Sequence, residues 1–146
     1  MKRIYLDIDG VLLTQRNQRI SEGAIDFLNY LLQNFDCYWL TTHCHNNDTS
    51  AVIGYLSQFF PNNMIENLKS VKPVVWDTLK TEGIDFDSDF YWIDDYPLES
   101  EKKVLEQHNC LENLIQVNLD NKDELLHLVQ KLKILNEKNC TFVEKL

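Results

Sequence analysis

The chain has 146 residues, of which 44% are hydrophobic and 25% charged, and this length suits one globular domain with its own core. Its formal net charge of −9 argues against unspecific binding to nucleic acid or to an anionic membrane, because both need a basic surface. No run approaches the roughly 20 apolar residues of a membrane span, and Asp7 and Asp9 interrupt the N-terminal apolar run before it could be a signal-peptide core. We therefore expect a soluble, cytoplasmic protein, with one domain over 1–136 and a C-terminal tail over 137–146.

The first apolar segment, residues 3–6, predicts a buried strand, and it leads into Asp7, Asp9 and a glycine, Gly10, that can turn the chain. Burying unpaired carboxylates costs on the order of several kcal/mol, so these acids need a cation, strong donors or a catalytic role. The alternative is that they only cap a turn, where Asp and Gly are common.

The rest of the chain alternates between helical and strand patterns. Residues 13–20 are polar and basic and predict a loop or small hairpin, whose Arg16 and Arg19 either meet an anionic substrate or are simply solvated. Helices are predicted at about 21–34, 49–60, 73–82, 97–108 and 121–136. Further strands are predicted at 37–41, 64–68, 90–93 and 114–117.

This alternation predicts an α/β protein with a mainly parallel, five-stranded sheet and helices on both faces, which is a three-layer Rossmann-like fold. In such sheets ligands bind at the carboxyl ends of the strands. Polar side chains lie at the carboxyl ends of three of the predicted strands, and they are Asp7 and Asp9, Thr41, and Asp94 and Asp95. We expect them to converge on one crevice.

The cysteines are widely spaced and include no Cys-x-x-Cys pair of the kind found in zinc ribbons and redox sites. We expect reduced, mostly buried thiols at Cys37, Cys44, Cys110 and Cys140. The run His43-Cys44-His45 suggests zinc, but residues this close in sequence rarely supply more than two ligands to one ion, and no second cluster completes a tetrahedron. Loop residues or substrate contacts are the favoured interpretation.

The segment Asp7-Ile8-Asp9-Gly10-Val11-Leu12 resembles the opening motif of the haloacid dehalogenase (HAD) superfamily, Asp-x-Asp-x-(Thr or Val)-(Leu or Val), at every specified position. Thr41, Lys72 and Asp95 follow in the order and approximate spacing of the other HAD motifs, so the resemblance extends over about residues 3–119. It implies the HAD fold without a large cap domain, because the segments between the motifs are too short to hold one.

The resemblance implies a Mg²⁺-dependent phosphatase that works through an aspartyl phosphate, with Asp7 as the nucleophile and Asp9 as the general acid and base. The implied Mg²⁺ ligands are the Asp7 carboxylate, the Asp9 backbone carbonyl and the Asp95 carboxylate, with Asp94 orienting a water or Asp95. Glu99 matches the acidic position of a longer fourth motif, although the first turn of a helix favours glutamate in any case.

Phosphate binding is implied for Gly10 and for Thr41 through its hydroxyl, with Thr42 as the competing residue. Lys72 is the implied lysine that offsets the charge of the nucleophile and the phosphate, because it directly precedes a predicted helix. Its rivals are Lys69 and Lys80. An open, capless site suits a large phosphorylated substrate, such as a phosphoprotein or a phosphorylated nucleic-acid end, or a lid supplied by a partner.

Two other functions stay open at this point. Receiver domains, which accept a phosphoryl group for regulation, also combine a parallel sheet with acids, a threonine and a lysine. In that family, however, the acidic pair ends the first strand and the acceptor aspartate follows a later one, which is the reverse of the order here. The other alternative is a HAD-like domain that binds phosphate or metal with little or no turnover. The physiological substrate and the oligomeric state are left open.

Overall fold

The computed structural model describes residues 1–144, and the side chains of residues 1–137. Its strands are β1 (Arg3–Leu6), β2 (Asp36–Trp39), β3 (Phe90–Asp94) and β4 (Leu114–Gln116). Its helices are α1 (Ala24–Asn34), α2 (Ser50–Leu56), α3 (Asn62–Leu68), α4 (Glu99–Gln107) and α5 (Glu124–Glu144). The strands form one parallel sheet in the order β2-β1-β3-β4, which confirms the predicted α/β class.

The central strand, β1, is buried by neighbours on both faces. Leu6 lies opposite Trp39 of β2 and Ile93 of β3 in the parallel register. It belongs to a hydrophobic cluster that includes residues of α1, α2, α3 and α5, whereas Tyr5 belongs to a second cluster with Leu105 of α4. Because both faces are covered, these strands are continuous apolar runs in the sequence.

The sheet has four strands in the described part of the chain, where five were predicted. The segment predicted as a strand at 64–68 is instead part of α3, which follows Pro61. Its buried residues, Met64, Ile65 and Leu68, share one helix face. So short an apolar run fits the period of a helix as well as that of a strand. Beyond β2, a single parallel bridge joins Tyr38 to Lys72.

The helix predicted at 73–82 is also wrong, because this segment is irregular until a 3₁₀ turn at Lys80–Gly83. The backbone of Lys72 pairs with Cys37 and Trp39 at the edge of β2. The amides of residues 77–79 donate to the Glu82 carboxylate at 3.0–3.2 Å. Backbone groups that would be hydrogen-bonded within a helix thus bond to the edge of β2 and to the Glu82 side chain. The chain therefore follows a different path to Lys80 from the one that a helix would give.

The connections between the strands are short in the described residues. The predicted loop at 13–20 is a small hairpin, with an antiparallel bridge between Leu13 and Ile20. Between β2 and β3 the chain holds only α2, α3 and the 3₁₀ turn, so residues 1–144 contain no separate cap domain between these elements.

The C-terminal helix, α5, continues to Glu144, so the predicted tail falls within a helix as far as that residue. Residues 145–146 and the side chain of Cys140 lie outside the described part of the chain. Cys37 and Cys44 are free and buried, and Cys110 is free and half-buried. No helix of the described residues combines the length and the apolar character that crossing a bilayer requires.

Candidate functional site

Three aspartates meet at the carboxyl ends of β1 and β3. Asp7 directly follows β1 and Asp94 ends β3, and the Asp7 amide donates to the carbonyl of Ile93 at 3.1 Å. Oxygens of Asp7, Asp94 and Asp95 all lie within 4.8 Å of one another. Asp7 and Asp94 are buried and Asp95 is half-buried. The pairing of β1 with β3 therefore brings together acids that are more than 80 residues apart in the sequence, and we refer to these three residues as the acid cluster.

A lysine lies among these acids, and it is Lys80. Its Nζ is 2.7 Å from Asp94 Oδ2 and 3.4 Å from Asp7 Oδ2, and its side chain is only 12% exposed. Burial lowers the pKa of Lys80, but the charges of Asp7 and Asp94 outweigh burial and leave this pKa raised. Lys80 therefore stays protonated, and it occupies the place that the sequence had suggested for Lys72.

Lys72 lies at the other end of the sheet. Its Nζ is 2.8 Å from Oδ1 of Asp36, the first residue of β2, and its side chain is 56% exposed. The structure does not bring Lys72 to the acid cluster, because the backbone at this residue is fixed against the edge of β2. The other rival, Lys69, pairs with Glu66 at 2.8 Å.

If all three acids were ionised, the acid cluster would carry more negative charge than its lysine can offset. Burial and the charge of Asp94 raise the pKa of Asp7 to about 8, although Lys80 acts in the opposite direction. Burial, and then Asp94, also raise the pKa of Asp95. Three ionised carboxylates beside one ammonium would leave two negative charges, and the oxygens of such a cluster could hold a hard divalent cation.

The Asp9 carboxylate is not part of the acid cluster. The Tyr55 hydroxyl donates to Asp9 Oδ1 at 2.9 Å, and Nε2 of His43 lies 2.7 Å from Asp9 Oδ2. The His43 and Tyr55 rings stack with centroids 4.1 Å apart. Burial and the neighbouring Asp9 raise the pKa of Tyr55 to about 12, so its hydroxyl remains a donor. Asp9 is thus held toward α2, in an arrangement the sequence did not predict.

The two threonines after β2 differ in their surroundings. Thr41 is fully buried, and its hydroxyl oxygen accepts the backbone amide of His43 at 3.3 Å. Thr42 is exposed, and its carbonyl oxygen lies 2.8 Å from Nε2 of His45. In the described residues, no hydrogen bond joins either hydroxyl to the acid cluster.

The residues considered for zinc each have a different partner. His43 contacts Asp9, the buried Cys44 thiol is directed to the carbonyl of Asn46 at 3.5 Å, and the His45 ring stacks on Trp76 at 4.2 Å. Among the described residues, the grouped side chains that could hold a metal ion are those of the acid cluster.

Gly10 and Gln15 complete the surroundings of Asp95. Gly10 has a φ of +82°, and a Cβ at this position would overlap the Asp95 carboxylate. Gln15, from the hairpin, donates its Nε2 hydrogen to Asp95 Oδ2 at 2.7 Å. The sequence pattern gave no signal for Gln15, since a polar side chain in a polar loop has no period that marks it.

A cleft of about 540 Å³ opens beside Gly10 and Asp95. One wall comes from the hairpin and includes Arg16, and the other comes from residues 116–120, at the end of β4 and in the loop after it. Arg19 is exposed. Glu99 is not in the acid cluster, because its side chain is 85% exposed and pairs with Lys102 at 3.3 Å. Of the acid cluster, Asp95 lines this cleft, whereas Asp7 and Asp94 do not.

No protein-family model matches this chain, and no curated protein is significantly similar to it. The resemblance to the HAD superfamily accordingly stays at the level of the short motifs around Asp7, Thr41 and Asp95. Function has to be argued from the arrangement of the side chains themselves.

Proposed function

We propose that this protein is a Mg²⁺-dependent phosphomonoesterase of the HAD type, with its three-layer fold, in which Asp7 forms an aspartyl phosphate. The main supporting observation is that buried Asp7 lies 3.4 Å from the ammonium of Lys80, at the carboxyl end of the central strand. A carboxylate nucleophile and a phosphoryl group repel each other, so such a site needs positive charge beside the nucleophile. Lys80 is placed to supply it.

The carboxylates of Asp7 and Asp95 and the backbone carbonyl of Asp9 would hold the cation. Asp94 would act through its neighbours, because its Oδ2 is paired with Lys80 and its Oδ1 accepts the Tyr96 amide at 2.9 Å. When bound, Mg²⁺ supplies positive charge that stabilises the phosphoryl oxygens and the ionised form of Asp7.

In the first half-reaction, an Asp7 oxygen attacks phosphorus, and the bond between phosphorus and the leaving oxygen breaks. Asp9 gives its proton to that oxygen, so the alcohol leaves neutral and Asp9 becomes a carboxylate. In the second half-reaction, Asp9 takes a proton from a water that attacks the phosphorus. Inorganic phosphate is released and Asp7 is restored. Lys80 remains beside Asp7 throughout and offsets the charge of the phosphoryl group.

The substrate carries its phosphate on a large or readily accessible group. The cleft beside Asp95 is polar and open to solvent, and residues 1–144 contain no cap domain over it. Arg16 on its wall can contact an anionic part of the substrate, whereas Thr41, Thr42 and Gly10 remain the predicted contacts of the phosphate itself.

Hydrolysis of 4-nitrophenyl phosphate tests this proposal. We expect activity that requires Mg²⁺ and that is removed by EDTA and restored by added Mg²⁺. Asp7→Asn should abolish it, because an amide is a poor nucleophile for phosphorus. Asp26→Asn, at an exposed position on α1, is the matched control and should behave as the unmodified protein. Full activity of Asp7→Asn would refute the assignment of the nucleophile.

The same experiments distinguish the two alternative functions. Calorimetric binding of Mg²⁺ without hydrolysis of any ester in a broad panel would favour a HAD-like binding domain with no turnover. Stable phosphorylation of Asp7 by acetyl phosphate would instead favour a phosphoacceptor regulatory domain. Rapid release of inorganic phosphate from phosphorylated Asp7 supports the phosphatase.

A further inference from the structure

We infer that His43 and Tyr55 are positioning residues for Asp9, which hold its carboxylate on the leaving-group side of the site and away from the acid cluster. The inference rests on the proposed phosphatase function and concerns how Asp9 is kept available as its general acid. The supporting observations are the contacts of the Asp9 side chain with His43 and Tyr55, two residues outside the segment that resembles the HAD motif.

Both oxygens of Asp9 are engaged, each by a residue of a different segment. Tyr55 belongs to α2 and reaches Oδ1 at 2.9 Å, whereas His43 belongs to the loop after β2 and reaches Oδ2 at 2.7 Å. The two rings stack with an interplanar angle of 17°, and the Tyr55 ring also packs edge-on against Phe59. The two contacts therefore fix the carboxylate, and the stacking fixes the groups that make the contacts.

The strand order separates Asp9 from the acids that would hold the cation. β2 pairs with β1 on one side, and β3 pairs with β1 on the other. His43 and Tyr55 follow β2, so they draw the Asp9 side chain toward that side, while Asp94 and Asp95 belong to the β3 side. The partners of Asp9 therefore come from the β2 side of β1, and Asp94 and Asp95 come from its β3 side.

This separation matters because Asp9 lies only two residues after Asp7 and its side chain is 38% exposed. Without its two partners, the carboxylate would be free to turn toward a bound cation and become one more ligand. A carboxylate that coordinates the cation does not protonate a leaving oxygen. General acid catalysis also requires the acid to be held in place before the bond breaks.

The expected signature is a dependence on the leaving group. A phenolate that carries a nitro group leaves readily without protonation, whereas an unsubstituted phenolate depends more on a general acid. The ratio kcat/KM reports the steps up to phosphorylation of Asp7, in which Asp9 acts as the acid. Loss of positioning should therefore lower kcat/KM far more for phenyl phosphate than for 4-nitrophenyl phosphate.

The test compares Tyr55→Phe and His43→Ala with the unmodified protein on both esters in the presence of Mg²⁺. General acids typically contribute about 10²–10⁴-fold, and we expect each variant to lose about 10–100-fold on phenyl phosphate. The loss on 4-nitrophenyl phosphate should be about tenfold smaller. His43→Gln, whose side-chain amide N–H can donate to Asp9 in place of a ring N–H, should recover part of the loss.

The matched controls are Tyr30→Phe and His127→Ala. Tyr30 lies on α1 and its hydroxyl accepts from Asn136 of α5, and His127 is exposed on α5. Both controls should leave the ratio between the two esters unchanged. A shift of this ratio in the controls as large as in the variants would overturn the inference.

Equal losses on both esters, or no loss on either, would also overturn the positioning role while leaving the phosphatase in place. An unmodified protein that hydrolyses neither ester would overturn the proposed function, and the inference with it. The contact itself is tested by urea unfolding, which needs no activity. Tyr55→Phe should lower the unfolding midpoint in the unmodified protein but not in Asp9→Ala, and equal shifts in the two backgrounds would contradict the contact.

Discussion

Lys80 Nζ lies closer to Asp94 than to Asp7, at 2.7 Å against 3.4 Å. Asp94 is buried, and its other oxygen accepts the Tyr96 amide, so the partner that holds the lysine is itself fixed. The ammonium is therefore in place beside the proposed nucleophile before any substrate binds. Such preorganised charge is the type of contribution that lowers the barrier to phosphoryl transfer.

Replacing Lys80 by methionine should remove both charge compensation and stability. We expect Lys80→Met to lower kcat/KM for 4-nitrophenyl phosphate by at least about 100-fold, as loss of a charged transition-state contact does. The free energy of unfolding should fall by about 3 kcal/mol, because two buried carboxylates lose their cation. Lys72→Met is the matched control and should change both quantities little, since its partner, Asp36, lies at the other end of the sheet. Equal effects of the two substitutions would contradict this assignment.

The raised pKa of Asp7 predicts how stability depends on pH when no divalent cation is present. Burial and Asp94 raise this pKa from its ordinary value of 3.8 to about 8, so the folded protein holds a proton that the unfolded chain releases. Stability should therefore decrease as the pH rises between about 4 and 8. Urea unfolding in EDTA measures this slope, and Asp7→Asn should make it shallower. Identical slopes for the two proteins would rule out Asp7 as the cause.

A divalent cation should reverse this trend. Cation binding competes with protonation of the carboxylates, so Mg²⁺ should raise the melting temperature more at pH 8 than at pH 5. Asp95→Asn should remove most of the increase, while Asp26→Asn should preserve it. Thermal unfolding with and without Mg²⁺ provides the measurement, and an increase that survives Asp95→Asn would place the ion elsewhere.

Gly10→Ala should disturb the site through the backbone. A side chain at a φ of +82° costs about 1 kcal/mol, and its Cβ would also displace the Asp95 carboxylate. We expect a lower free energy of unfolding and a loss of Mg²⁺ binding by calorimetry. Gly54→Ala, in α2, meets nothing within 4 Å and should instead stabilise the protein by up to about 1 kcal/mol. Normal Mg²⁺ affinity in Gly10→Ala would contradict the predicted displacement.

Glu101 connects the start of α4 to the turn that carries Lys80. Its buried carboxylate accepts the Leu98 amide at 2.8 Å and the Lys80 amide at 2.7 Å. Glu101→Ala should cost about 1–3 kcal/mol of unfolding free energy, because two backbone donors lose their acceptor. It should also lower kcat by shifting Lys80. Glu99→Ala, at an exposed position, is the control, and a Glu101→Ala variant as active and as stable as that control would disprove the link.

The sequence was sufficient to predict the parallel α/β class and the meeting of Asp7 with Asp94 and Asp95. The reason is that β1 and β3 are continuous apolar runs that end directly in acids, and parallel strands present their carboxyl ends at one edge. Lys80 could not be chosen over Lys72 from local pattern. The path between these lysines is set by contacts with β2 and by the Glu82 carboxylate, which are tertiary interactions.

The environment of Asp9 was missed for a different reason. Tyr55 follows the apolar period of its helix, so the sequence pattern does not distinguish it from a core residue. The hydrogen bond from its hydroxyl to Asp9 can be recognised only in the folded structure, where α2 lies beside the turn that contains Asp9. Gln15 is similar, because only its hydrogen bond to Asp95 separates it from other polar loop residues.

The pairing of β1 with β3 also has a consequence for biosynthesis. The ribosome delivers Asp7 and Asp9 first, and Lys80, Asp94 and Asp95 follow more than 70 residues later in the sequence. The nascent polypeptide therefore lacks part of the proposed site until β3 emerges and pairs with β1. In the proposed phosphatase, the onset of hydrolysis would coincide with this late step of folding, and an incomplete translation product would be inert.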